Sequence, residues 1–145
     1  MFQNENKIPT GWELVVGAWE FLNAVFDHAA PAMAEHGLHQ KSLVLLALLD
    51  KGDTPQQLAH LLRTPAPTLS HMLKELEGRG LIARSLDAAD RRRFRLRRTA
   101  AGDRALAAGV AAINEAASSR LACLSDAERE VVAGAVLLLP RLTGD

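Results

Sequence analysis

Residues 54–99 read TPQQLAHLLRTPAPTLSHMLKELEGRGLIARSLDAADRRRFRLRRT. The first four residues start a helix by three separate signals. Thr54 can cap free N–H groups, Pro55 suits the first turn, and Gln57 completes a capping box. A short helix (LAHLLR) follows, with Ala59 small enough to admit a close neighbour. Thr64-Pro65 repeats the cap-plus-proline signal and predicts a further helix to about Arg79. Pro67 disfavours a helical Ala66, so either proline can open the first turn. On that helix Leu69, Met72, Leu73 and Leu76 share one side, with Ser70, His71, Lys74 and Glu75 on the other. Gly78 and Gly80 end it, and the period changes. Leu81 to Leu86 reads as a strand and Asp87-Ala88-Ala89-Asp90 as a turn. Beyond it Arg93, Arg95 and Arg97 alternate with Phe94 and Leu96, the period of two of a half-buried strand.

Two short helices, a tight turn and a basic hairpin make a winged helix-turn-helix over residues 38–99. The physics suits duplex DNA. The major groove admits one α-helix and displays distinguishable base edges, and the second helix of such a pair enters it while the first braces the backbone. The outer residues Thr68, Ser70, His71 and Lys74 suit bases and phosphates. Thr64 and Pro67 at the start of the helix, with Arg84, Arg91, Arg92, Arg93 and Arg95 on the ribbon, complete the candidate DNA-binding set. Formal net charge is zero over the 145 residues, but Arg84 to Arg98 holds seven arginines against Asp87 and Asp90, a local excess of five positive charges. Concentrated charge makes a local field that the whole-chain sum conceals. Arginine is also the residue favoured for bidentate phosphate contact.

Outward from this lobe the chain reads as helix. Trp12, Val15, Val16, Trp19, Leu22 and Phe26 form an apolar stripe on a helix to about Glu35, with Pro31 expected to kink or break it near its end. Residues 40–49 are apolar nearly all round, which implies burial, and Gly52 is expected to stop that helix. A long alanine-rich helix starts at Thr99. Ser125-Asp126-Ala127-Glu128 is a second capping box, launching a terminal helix through Val131, Val132, Val136, Leu139 and Leu142, with Pro140 distorting its last turn. The tryptophan stripe and the last helix have too few partners in one subunit. A homodimer is therefore expected, with Trp12, Val16, Trp19, Val132, Val136 and Leu139 at its interface. The fold class is mainly α with a small β-hairpin wing: residues 1–37 a dimerisation helix, 38–99 the DNA-binding lobe, and 100–145 further dimerisation helices, all in one compact chain.

Other classes find little support. No run approaches the ~20 apolar residues of a membrane span. The N-terminus lacks a basic-then-apolar export signal, so the cytoplasm is expected. Cys123 is the single cysteine; it excludes a disulfide framework and, set among Leu121, Ala122 and Leu124, reads as a small buried hydrophobe rather than a redox switch. His28, Glu35, His36 and His39 have poor spacing for a metal site. There is no glycine-rich phosphate loop, nucleophile elbow or HExxH, so neither an enzyme nor a cofactor is expected. The alternatives are a metal- or oxidant-responsive regulator, and a helical dimer that binds ligand or protein without DNA.

The residues also resemble a family. TLSHMLKELEGRGLIAR is similar to the recognition helix and wing approach of the MarR-type regulators, and DAADRRRFRLRRTAAG to their wing and the helix after it; LSDAERE adds to the likeness. The resemblance implies that Asp90, Arg91 and Arg92 match the family's wing motif, with Arg92 first and Arg91 second as the minor-groove arginine. It further implies a dimer built from the N-terminal and last two helices, and a small-molecule effector crevice between those helices and the DNA-binding lobe. The chain departs from the pattern at Ser42, where glutamine is frequent, and at Arg98, where an apolar residue usually precedes the threonine. Arg98 is expected to make the wing's edge more basic.

Overall fold

The structure, a computed structural model, describes residues 10–86 and 94–142. Six helices and one two-stranded antiparallel sheet follow in the order α1 (Gly11–Glu35), α2 (Gln40–Leu48), α3 (Pro55–Leu61), α4 (Ala66–Gly78), β1 (Ile82–Leu86), β2 (Phe94–Arg98), α5 (Ala100–Leu121) and α6 (Asp126–Leu142). The expected turn at 87–90 and Arg91, Arg92 and Arg93 lie outside the described residues. No helix among the described residues is long and apolar enough to cross a membrane.

Local chemistry sets most helix starts. Thr54 Oγ1 accepts from the Gln57 N–H at 3.3 Å and the Gln57 side chain returns to the Thr54 N–H at 3.3 Å, with Pro55 in the first turn. Ser125 and Glu128 make the same reciprocal pair before α6. The Ser125 hydroxyl, donating to the Glu128 carboxylate at 2.7 Å, and then the Ser125 N–H at 2.8 Å hold that carboxyl below its ordinary range. Thr10 and Glu13 cap α1, and His39 and Ser42 cap α2. Pro31 does not break α1, which runs to Glu35 as the apolar stripe implied. Three expectations are corrected here. Thr64 does not cap α4; its hydroxyl turns back to the Leu62 carbonyl at 3.1 Å, and Pro65 takes the cap position with no side-chain bond. Gly52 does not adopt a left-handed stop; it is small because a Cβ there would sit 3.0 Å from the Gln57 Cβ. Finally, α2 is not buried all round, since Val44 faces outward.

The turn between α3 and α4 is closed in an unusual way. The Arg63 N–H bonds the His60 carbonyl at 3.1 Å and the Thr64 N–H bonds the Ala59 carbonyl at 3.0 Å, a Schellman pair that places Arg63 at φ 48°. Left-handed backbone is costly for a residue with a Cβ. Replacing Arg63 with glycine is expected to stabilise the fold by about 0.5–1 kcal/mol, seen as a higher urea midpoint. A lower midpoint would mean that the arginine side chain contributes more than its backbone loses.

The core gathers one side of each helix. Val25, Ala29 and Met33 of α1 recur at steps of four and meet α5, where Ala105 and Ala116 are buried. Leu43, Leu45 and Leu46 of α2, Leu58 of α3, and Leu69, Met72, Leu73 and Leu76 of α4 fill the lobe beneath Leu81, Ile82 and Leu96. Small residues let α5 come close. A Cβ on Gly102 would stand 2.0 Å from the Leu81 carbonyl oxygen, and one on Gly109 would stand 2.5 Å from Leu43 Cδ1. In contrast, α6 has no substantial contact with any other described element.

Candidate nucleic-acid interface

Burial of Leu69, Met72, Leu73 and Leu76 fixes the rotation of α4. Pro67, Thr68, Ser70, His71 and Lys74 are consequently all exposed, while Thr64 is half-buried. Glu75, on the polar side, is occupied structurally. Arg79 Nη2 donates to its carboxylate at 3.0 Å, and Arg79 Nη1 donates to the Gly37 carbonyl at 3.0 Å. That pair ties the end of α4 to the turn after α1. Gly80, at φ 68°, then redirects the chain into β1.

The wing pairs Ile82 with Arg98, Arg84 with Leu96 and Leu86 with Phe94. Leu96 is buried, and its N–H donates to the Asp53 carbonyl at 2.7 Å. The described arginines of β1 and β2 are in part engaged by the chain's own carboxylates. Arg84 Nε pairs with the Glu77 carboxylate of α4, and Arg95 Nη1 pairs with Asp53 Oδ2 at 2.6 Å. Both side chains remain partly exposed, at 37% and 43%. Exposed ion pairs of this kind contribute ~0–1 kcal/mol, so phosphate oxygens can displace the carboxylates. Arg97 is exposed.

Arg98 overturns its expectation. Instead of adding charge to the wing's edge, it faces inward with 17% of its side chain exposed. Its Nη2 donates to Asp50 Oδ1 at 2.6 Å, Nε to Asp103 Oδ1 at 2.7 Å, and Nη1 to the Leu46 carbonyl at 2.8 Å. The Asp50 bond, then the Asp103 bond, raise its pKa above the ordinary arginine value. A polar cleft of about 310 Å³ opens beside it, lined in part by Asp53, Leu96 and Arg97. Sequence reading missed Asp50, Asp53, Glu77 and Asp103. Asp50 and Asp53 lie 48 and 42 residues from the arginines they meet. Glu77 and Asp103, only 7 and 5 residues away, belong to a different element from their partners, so no local pattern marks any of the four.

The candidate interface for a second copy is laid bare. Trp12 is 76% and Trp19 66% exposed, and Val136 and Leu139 are exposed beside Val131, Leu137 and Leu138. Val16 and Val132 are half-buried within the chain. Among the described residues no three His, Cys, Asp or Glu side chains come together to hold a metal ion. His39 serves as a cap, Nδ1 accepting from the Ser42 N–H at 3.4 Å. Cys123, expected buried, is exposed, its thiol donating to the Arg120 carbonyl at 3.1 Å.

A sequence model of the MarR family matches residues 39–93, the helix-turn-helix and the start of the wing. No curated protein matches the chain. Among solved structures, a protein described as a probable transcriptional regulator from Pseudomonas aeruginosa is 31% identical. That match covers 89% of this chain and 96% of the other, with a TM-score of 0.67. A MepR variant from S. aureus is 23% identical over 93% of this chain and 99% of its own, with a TM-score of 0.72. The transcriptional repressor CouR, solved on a 23-mer DNA duplex, is 24% identical over 93% of this chain and 99% of its own, with a TM-score of 0.70. The two more distant likenesses concern the fold, whereas the Pseudomonas protein and the matched lobe carry ancestry. With the helix-turn-helix, the two described strands and the flanking helices in place, the chain belongs to the MarR family of DNA-binding transcriptional regulators.

Proposed function

We propose that two copies of this chain pair through α1 and α6, bind a pseudo-palindromic duplex site, and repress transcription by occupying a promoter until a small ligand releases them. The observation that carries this reading is the division of α4: its four large apolar residues are buried and Thr68, Ser70, His71 and Lys74 all face solvent. A helix so fixed presents a rigid polar face of the size the major groove accepts. Pairing is supported by the bare tryptophans of α1 and by α6, a 17-residue helix with scarcely any support from its own chain. Such a helix is marginal in water without packing. CouR, described as a repressor and solved on DNA, supports the direction of control. Ligand release is bounded by the ligand's difference in affinity between the two lobe spacings.

Titration of the full chain with random-sequence duplex at several salt concentrations tests the reading. Affinity should fall steeply with salt, and selected sequences should show a two-fold repeat with half-site centres about 34 Å apart. Absence of binding at low salt, or a selected motif without symmetry, would sink it. Lys74→Ala should weaken all sequences alike and flatten the salt slope by about 0.9 per protomer. His71→Ala should instead relax sequence preference; an unaltered preference profile would mean that His71 reads no base.

A further inference from the structure

We propose that Arg98 is a positioning residue for DNA binding, one that holds the wing at a fixed angle to α4 and α5 without itself touching DNA. The inference rests on the DNA-binding reading above and adds what sets the geometry of the grip. Arg98 is the last residue of β2, so it sits where the returning strand of the hairpin joins the body of the protein. All three guanidinium nitrogens are committed: Nη1 to the Leu46 carbonyl in α2, Nη2 to Asp50 just beyond α2, and Nε to Asp103 in the first turn of α5. A planar guanidinium offers its donors in a rigid fork, so three bonds in three directions fix its orientation and the strand's with it.

Its electrostatics are those of a brace rather than of a phosphate contact. Two carboxylates against one guanidinium leave the spot net negative, and the side chain is 17% exposed. Ile82, directly opposite in the ladder, is buried, and the Thr99 N–H next along the chain holds the Leu81 carbonyl at 3.0 Å. Both strands are therefore gripped at the same end. Each strand is five residues long, a hairpin too small to hold its own direction. Beyond the base it is steadied by the Leu96 N–H on the Asp53 carbonyl and by the partly exposed pairs Arg84–Glu77 and Arg95–Asp53. Arg98 is thus the most buried of the wing's ion-paired anchors. Loosening the base lets the wing sample other orientations in the free protein, and DNA must then order it on binding, which lowers affinity without removing any contact.

The test uses the full chain, its Arg98→Leu variant, and the duplex selected by the unmodified protein. Arg98→Leu should bind about tenfold more weakly with an unchanged salt slope. Asp50→Asn and Asp103→Asn should each bind a few-fold more weakly. That sign is decisive, because deleting a negative charge near DNA would by electrostatics alone strengthen binding. Unchanged affinity in Arg98→Leu overturns the proposal, as does a slope flatter by about 0.9 per protomer, which would mark a direct phosphate contact. Tighter binding by the asparagine variants overturns it too, and they decide the matter alone if Arg98→Leu does not fold. Should the unmodified protein bind no duplex, the DNA-binding reading fails separately. Hydrogen exchange of the β2 amides then judges Arg98: faster exchange in Arg98→Leu supports the brace, and equal exchange refutes it.

Discussion

A chain carrying both Val136→Glu and Leu139→Glu is expected to run as a monomer in sedimentation and to bind duplex DNA at least a thousandfold more weakly than the unmodified protein. Val136 and Leu139 are 55% and 52% exposed, on a helix that its own chain scarcely touches. Burying each such side chain against a second copy contributes ~1.5–3 kcal/mol. In a symmetric pair every substitution counts twice, because the same patch lies on both sides. Placing carboxylates there also exchanges a gain for a desolvation cost of several kcal/mol per ion. The DNA effect follows from losing simultaneous engagement of two half-sites. A dimer persisting at micromolar concentration would move the interface away from α6 and leave α1 alone to provide it.

Gly102→Ala, at the joint between β1 and the start of α5, should produce a large loss of stability from a single methyl group. The added Cβ would meet the Leu81 carbonyl oxygen at 2.0 Å and its carbon at 3.0 Å, both backbone atoms. That oxygen cannot retreat freely, since it accepts from the Thr99 N–H at 3.0 Å and from Thr99 Oγ1 at 3.3 Å. Thr99 Oγ1 in turn accepts from the Gly102 N–H at 3.0 Å, capping α5. Relief of the clash therefore breaks either the cap or the joint between β1 and α5. The expected cost is about 3 kcal/mol or more, read as a fall in the urea midpoint. A midpoint equal to the unmodified protein's would show that the first turn of α5 can slide outward unopposed. Gly109→Ala is the contrast: there the obstacle is the movable end of Leu43, and the loss should be smaller.

What the sequence disclosed divides along the range of the forces involved. Capping acts over three residues, so Thr54 with Gln57 and Ser125 with Glu128 could be read directly. The same rule failed at Thr64, where Pro67 removes an N–H from the first turn and the hydroxyl finds the Leu62 carbonyl instead. Periodicity placed Leu69, Met72, Leu73 and Leu76 inside and thereby oriented α4. Charge patterning misled at the wing. A tally of the segment alone omits Asp50, Asp53, Glu77 and Asp103, which folding brings against Arg84, Arg95 and Arg98. Arg98 lies 48 residues from Asp50 and 52 from Leu46, so its inward turn depends on tertiary packing that no local pattern encodes. Cys123 was misjudged for a related reason: apolar neighbours in sequence do not bury a residue in a connection at the surface.

The near-solitary stance of α6 reaches beyond assembly into supply. When shielding of that helix comes only from another copy, folding and encounter are one equilibrium, and a tenfold dilution removes about 1.4 kcal/mol per mole of dimer. Scarce chains then leave more of their number open to proteolysis, and clearance quickens as production slackens. The cell's stock of this regulator would thus shorten or lengthen its own survival.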